Sequence, residues 1–124
     1  MIIADSSFLV ALFMPNDKNY DEAKRGFAQV KDRIFVSNII LYETLTVINY
    51  KATAEEKRTV YDKIMSNKIF MINNLNETEL EEILFDFLSY SNKLSFEDVS
   101  VIYLAKKSNS EVLAFDGGIH TAIK

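Results

Sequence analysis

The chain has 124 residues, of which 48% are hydrophobic and 26% charged, with one proline, three glycines and no cysteine. This length fits one domain with its own core, and the composition excludes a disordered or low-complexity protein. No apolar stretch reaches the ~18 residues that a membrane span needs, and no basic leader precedes the first apolar run, so we expect a cytoplasmic protein without membrane association.

The residue types also restrict the chemistry. Without cysteine the chain has no disulfide, thiolate zinc site or thiol nucleophile, and the lone His120 cannot form a histidine metal cluster. The formal net charge of −4 disfavours phosphate binding, but carboxylates that converge on divalent cations lose their charge locally. Acid–base or metal chemistry must therefore come from carboxylates.

Short apolar runs alternate with segments of helical spacing along the chain. Helix starts are indicated by Ser37-Asn38, by a capping box beginning at Thr53 and by similar pairs beginning at Asn76 and Ser95. The patterns predict strands at 1–4, 33–36, 68–72 and 111–115, and helices at 6–14, 20–30, 38–50, 53–67, 76–92 and 95–107.

Strands separated by helices, usually two at a time, predict a parallel sheet covered on both faces, because parallel neighbours need crossover connections. We therefore expect a three-layer α/β/α sandwich with a short, mostly parallel central sheet. In such sheets ligands bind beyond the carboxyl ends of the strands, and Asp5 and Asp116 both fall at strand ends.

Several acids are candidates for a site, although each also has an ordinary structural explanation. Asp5 lies where a helix cap is common, Asp98 completes a capping box with Ser95, and Asp116 precedes two glycines as in a turn. Glu97 competes with Asp98, and we expect it to be the solvated one of the two. The functional interpretation depends on the set of acids rather than on any one of them.

Glu43 is the hardest acid to explain structurally. Its helix neighbours about one turn away are Ile39, Ile40, Thr46 and Val47. The carboxylate interrupts an apolar stripe, where an unpaired charge costs several kcal/mol, and no Lys or Arg lies within a turn. The fold must supply a partner, which is either a distant basic residue or a functional site.

Three stretches resemble the PIN domain family, in particular its VapC-like toxins. MIIADSSFLVALF resembles the family's opening strand with an Asp and small hydroxyl residues, and VSNIILYETLTVI resembles its second strand and Glu-bearing helix. In EDVSVIYLAKKSNSEVLAFD the spacing of Asp98, Ala105 and Asp116 is similar to the family's third motif. The resemblance covers nearly the whole chain and implies a single PIN-like domain over residues 1–124.

The resemblance implies a Mg²⁺- or Mn²⁺-dependent endoribonuclease. Its metal ligands and catalytic residues would be the four acids Asp5, Glu43, Asp98 and Asp116. Oxygen-only ligation suits these hard cations, and Ser6 falls where relatives often have a supporting hydroxyl.

The resemblance further implies an RNA substrate, a small antitoxin partner in a type II toxin–antitoxin pair, and a homodimer. The chain departs from the family pattern at Ala114, where Thr or Ser is frequent, so we expect one polar contact to be missing. It ends eight residues after Asp116, where many relatives add an edge strand, so we expect a trimmed partner surface. An exposed apolar groove formed by the first helices, with Phe8, Leu12, Phe13 and Met14 contributing, is expected to take either the antitoxin or a second copy.

Other classes of protein remain as alternatives. A phosphoacceptor receiver domain needs an Asp at the end of a central strand and a Lys at the end of a late one, whereas the run from Ile69 to Asn73 ends without an acid and the run from Glu111 to Phe115 is followed by Asp116. A haloacid dehalogenase phosphatase needs a second Asp where this chain has Ser7. A catalytically inactive PIN-like binding scaffold and a housekeeping nuclease stay open, although a scaffold has no need for a repulsive group of acids.

Overall fold

A computed structural model describes residues 1–90 and 93–123 of the chain. The strands are β1 (Ile2–Ala4), β2 (Ile34–Ser37), β3 (Phe70–Asn73) and β4 (Glu111–Leu113). The helices are α1 (Ser6–Phe13), α2 (Tyr20–Ala28), α3 (Asn38–Lys51), α4 (Ala54–Ser66), α5 (Glu77–Ser89), α6 (Phe96–Ser108) and α7 (Gly117–Ile123). Within the described ranges, no helix is long and apolar enough to cross a membrane.

The four strands form one parallel sheet in the order β3-β2-β1-β4. The chain moves outward from β1 to β3 and then returns past β1 to β4. Because crossovers between parallel strands are right-handed, this reversal puts α1 to α4 on one face and α5 and α6 on the other. The predicted three-layer α/β/α fold with a parallel central sheet is confirmed.

The core lies between the sheet and the helices on both faces. All four residues of β2 are buried, as expected for a central parallel strand covered on both sides. Phe8, Leu12 and Met14 are also buried, so the expectation that they form an exposed groove is wrong. Leu12 and the partly exposed Phe13 instead line a cavity of about 370 Å³ between α1, α2 and α4.

The predicted helix starts are confirmed in atomic detail. Ser37 caps α3 through its side chain, which accepts a hydrogen bond from the Ile40 N–H. Complete capping boxes open three further helices; their residue pairs are Thr53 with Glu56, Asn76 with Glu79, and Ser95 with Asp98.

The chain differs from the sequence expectation near its last acid. β4 ends at Leu113 rather than at residue 115, and α7 was not predicted, because Asp116 with two glycines suggests only a turn. The Asp116 carboxylate accepts hydrogen bonds from the N–H groups of Gly118 and Ile119 at 2.8 and 3.3 Å, which begins a helix instead. α5 ends at Ser89, and its predicted end near residue 92 lies outside the described residues.

Candidate active site

The candidate site lies beyond the carboxyl ends of β1 and β4. The chain leaves β1 into α1 on one face of the sheet, whereas it leaves β4 into α7, which packs against α6 on the other face. Parallel sheets have a crevice where neighbouring connections diverge in this way. Asp5 directly follows β1, and Asp116 follows β4 after two intervening residues.

Asp5 is a buried carboxylate with one unpaired oxygen. Its exposure is 2%, and its Oδ2 atom accepts hydrogen bonds from the Ser7 N–H at 3.1 Å and the Ser7 hydroxyl at 2.7 Å. The Oδ1 atom is buried without a hydrogen-bond partner among the described residues. Burial raises the pKa of Asp5, and repulsion from Asp98 adds to this effect. Asp5 therefore caps α1 with one oxygen, while the other has no hydrogen-bond partner among the described residues.

Glu43 projects from α3 and is half-buried. The Ser6 hydroxyl donates a hydrogen bond to its Oε1 atom at 2.5 Å. The partner that the apolar surroundings of Glu43 require is thus the hydroxyl of the first residue of α1. Burial, with added repulsion from Asp5 and neighbouring acids of α6, raises the Glu43 pKa from 4.5 to about 7. Near neutral pH a proton on this carboxyl is therefore favoured more than on an ordinary glutamate.

Asp98 also combines a structural role with a place in the site. Its Oδ2 atom accepts a hydrogen bond from the Ser95 N–H at 3.0 Å, while its own N–H donates to the Ser95 hydroxyl at 3.1 Å. Burial raises its pKa, and repulsion from Asp116 and Glu97 contributes. The capping explanation and the site explanation therefore both apply to this residue.

Glu97 is closer to the site than the sequence suggested. It is half-buried rather than solvated, and its charge repels both Glu43 and Asp98. When two acids are adjacent at the start of a helix, the sequence alone does not show which of them points into the protein. The expectation that Glu97 is simply the solvated one of the pair is therefore not met.

Mutual repulsion connects all four predicted acids, since Asp5 and Glu43 each interact with Asp98, and Asp98 interacts with Asp116. Among residues 1–90 and 93–123, however, no three His, Asp or Glu side chains are arranged so that they could hold a metal ion. Three of the acids accept hydrogen bonds from the protein instead: Glu43 accepts from Ser6, and Asp98 and Asp116 accept from backbone N–H groups at helix starts. The donor set still suits a hard divalent cation, because it contains only oxygens and includes the unpaired Oδ1 of Asp5.

Two residues near the site have roles that the sequence did not indicate. The Ser7 hydroxyl, which donates to Asp5, also accepts a hydrogen bond from the Phe115 N–H at 2.9 Å. The lone histidine, His120, donates from Nε2 to the Ala114 carbonyl at 2.8 Å and so fastens α7 to the connection after β4. The contact between Ser7 and Phe115 joins positions 108 apart, so no local sequence pattern could reveal it. The contact of His120 with Ala114 is local, but it depends on α7, a helix that was not predicted.

The chain matches known proteins in its sequence profile and in its fold. The model of the PIN domain family matches residues 2–123, whereas no curated protein matches the sequence. VapC20 of Mycobacterium tuberculosis, a sarcin–ricin loop cleaving toxin, has a similar structure, with a TM-score of 0.87 and 23% identity over 98% of this chain and 95% of that one.

Two further solved structures share the fold at lower identity. FitAcB from Neisseria gonorrhoeae gives a TM-score of 0.72 at 16% identity, covering 99% of this chain and 93% of that one. A toxin–antitoxin complex from Klebsiella pneumoniae gives 0.69 at 18% identity, covering 94% of this chain and 87% of that one. At these identities the likeness shows a shared fold.

Proposed function

This chain belongs to the PIN domain family, and from that membership we propose that it is a metal-dependent endoribonuclease, the toxin of a type II toxin–antitoxin pair. The observation that carries the proposal is the group of mutually repelling carboxylates at the carboxyl edge of the sheet, with the buried, unpaired Oδ1 of Asp5 among them. The fold shared with VapC20 and with the Klebsiella toxin–antitoxin complex supports the toxin assignment.

We propose that the four acids hold Mg²⁺ or Mn²⁺ and that Ser6 orients one of them. Held by these residues, such a cation would supply the Lewis acidity that makes water a nucleophile toward the phosphodiester and would offset the negative charge on phosphate. Carboxyl groups must lose their protons before they act as ligands, and Glu43, with its pKa of about 7, limits this step near neutral pH. The Ser6 hydroxyl favours the ionised form by donating to Oε1. The ligand residues are Asp5, Glu43, Asp98 and Asp116.

The repulsion within the site favours this function over a non-catalytic binding scaffold. Burial disfavours the charges of Asp5, Glu43 and Asp98, and each lies near another acid, so the group destabilises the metal-free fold. A surface that only binds a partner has no need of such a group. A cation that binds the folded state alone would offset the repulsion and raise the melting temperature.

The test is cleavage of a mixed pool of structured and single-stranded RNAs by the purified protein with Mg²⁺ or Mn²⁺. Asp5→Asn and EDTA should each abolish cleavage, whereas Asp62→Asn, a control on the exposed face of α4, should cleave like wild type. Equal cleavage by Asp5→Asn would refute the assignment. Metal-induced stabilisation without cleavage would indicate a metal site whose RNA was missing from the pool, and no metal effect would favour the scaffold.

The proposed antitoxin partner follows from the same acids. A segment that occludes the site and carries an arginine would neutralise the charge of these acids, because the guanidinium group binds carboxylates through paired, charge-assisted hydrogen bonds. We expect such a segment to compete with RNA and with Mn²⁺. A peptide of this kind that bound without slowing cleavage would argue against the proposed mode of inhibition.

We also propose a homodimer, which would form through α5. This helix exposes an apolar ridge of Leu84, Phe85 and Leu88, whose exposures are 51%, 76% and 82%. Contiguous exposed side chains of this kind commonly mark an interface. The same helix contains no Lys or Arg and has five acids, which are Glu77, Glu79, Glu81, Glu82 and Asp86.

A further inference from the structure

The hydroxyl of Ser7 joins the two chain connections that carry Asp5 and Asp116. Its Oγ atom lies 2.7 Å from Asp5 Oδ2 and 2.9 Å from the Phe115 nitrogen. An ionised carboxylate only accepts hydrogen bonds, so the hydroxyl proton points to Asp5 and an Oγ lone pair accepts from the Phe115 N–H. This contact bridges 108 positions of the sequence and reaches the residue immediately before Asp116.

Ser7 Oγ takes the place of a missing strand carbonyl. β1 and β4 pair up to Ala4 opposite Leu113, and the Asp5 N–H donates onward to the Leu113 carbonyl at 2.9 Å. In a regular parallel ladder the Phe115 N–H would next donate to the Asp5 carbonyl. That carbonyl instead accepts from the Leu9 N–H at 3.2 Å, within the first turn of α1.

This substitution solves a problem specific to the sheet edge. A strand that turns directly into a helix commits its last carbonyl to the helix, so the neighbouring strand loses a partner for one N–H group. A partly buried N–H group without a partner is unfavourable, and the Ser7 side chain supplies the acceptor. The Phe115 ring also stacks on the Phe8 ring, with the two ring centroids 6.2 Å apart, a contact that does not involve the Ser7 hydroxyl.

We infer that Ser7 is a positioning residue for the proposed metal site. Together with the Ser7 N–H, the hydroxyl holds Oδ2 of Asp5 in the helix cap and leaves Oδ1 outside it, and by accepting from the Phe115 N–H it fixes the backbone from which Asp116 projects. One hydroxyl thus sets the separation of two carboxylates that come from opposite ends of the sequence. The inference rests on the proposed function, since the two acids are its ligands.

The experiment compares Ser7→Ala and Ser7→Thr with Ser108→Ala, whose hydroxyl bonds within the C-terminal part of α6 and the following turn. We expect Ser7→Ala to lower kcat and Mn²⁺ affinity about 10- to 100-fold, as for other groups that orient metal ligands, with KM for RNA changed less than about twofold. Ser7→Thr should restore both, and Ser108→Ala should match wild type.

Amide hydrogen exchange supplies a readout without RNA. In Ser7→Ala the Phe115 N–H should exchange faster, while the Asp5 N–H, bonded to the Leu113 carbonyl, should stay protected. Wild-type kcat and Mn²⁺ affinity in Ser7→Ala, or unchanged exchange at Phe115, would overturn the inference and leave the nuclease assignment standing. If wild type neither cleaves RNA nor binds Mn²⁺, the proposed function fails and the positioning role fails with it, while exchange at Phe115 still decides whether the bridge exists.

Discussion

At the scale of single residues, structural and functional roles coincide in the same side chain. Asp5 caps α1 with one oxygen and keeps the other unpaired, and Asp98 completes a capping box while repelling Asp116. Sequence patterns correctly predicted both caps. They also predicted that Glu43 requires a partner, but not that the partner is Ser6, because that contact joins positions 37 apart.

Replacing Asp5 should separate its two roles. We expect Asp5→Asn to cut RNA cleavage at least ~100-fold, because a ligand is lost, while the amide oxygen still accepts from Ser7. Since the charge is buried and repelled by Asp98, the melting temperature in EDTA at pH 8 should equal or exceed that of wild type. Thermal denaturation measures this, and a drop of more than about 5 °C would identify the cap as the main role of Asp5.

The pH dependence of stability should be dominated by Glu43. Its pKa is about 7 in the folded protein against 4.5 for the unfolded group, so its contribution is fully present below about pH 4.5 and is lost as the pH rises through about 7. The shift corresponds to roughly 3 kcal/mol, which solvent screening of this half-exposed group reduces to about 1–2 kcal/mol.

Urea denaturation of the metal-free protein at pH 5.5 and pH 8 tests this expectation. Wild type should be less stable at pH 8, and Glu43→Gln, which cannot ionise, should show a smaller difference between the two pH values. An equal difference in both proteins would assign the pH dependence to other acids.

At the scale of elements, the predictions succeeded wherever a helix has a capping residue with a matching acid three positions later. They failed at α7, whose start has Asp116 followed by two glycines, a composition shared by turns and helix starts. Only the fold distinguishes the two, since α7 packs on α6 and its His120 bonds to Ala114. β4 was predicted too long because Ala114 and Phe115 are apolar but lie past the strand's end.

The two glycines of α7 form a matched pair for mutation. A Cβ atom at Gly117 would meet nothing within 4 Å, whereas one at Gly118 would lie 3.1 Å from both Asp116 Oδ1 and Leu94 Cδ2. We expect Gly117→Ala to stabilise the protein by about 0.5 kcal/mol with unchanged cleavage, because alanine favours the helix. Gly118→Ala should displace the Asp116 carboxylate and lower kcat, and equal activity of both variants would exclude a role for that carboxylate's position.

At the scale of the whole molecule, the layer arrangement followed from the alternation of strands and helices. Strand order was not predicted, because the position of β4 beside β1 depends on contacts between the two ends of the sequence. The convergence of the acids depends on that order. The sequence therefore names the four acids as candidates, whereas the way in which the fold brings them together and the bridge through Ser7 could not be read from it.

Self-association should depend on both the ridge and the acids of α5. Leu88→Glu should yield a monomer in light scattering, while Met65→Glu, an exposed apolar control on α4, should leave the dimer unchanged. Because two acidic helices repel each other, raising the salt from 0.05 to 0.5 M should tighten the dimer. Weakening by salt, or a monomer at all concentrations, would exclude α5 as the homodimer interface.

The place of β4 beside β1 also has a consequence for biosynthesis. β1 lies inside the sheet and pairs with β4, which comes more than 100 residues later in the sequence. This pairing cannot form while the ribosome is still translating the middle of the chain. At ordinary rates of protein synthesis that interval is on the order of 5–20 s. A nascent polypeptide therefore lacks the assembled carboxylate group, and under the proposed function a harmful nuclease would stay inert until its own translation is almost complete.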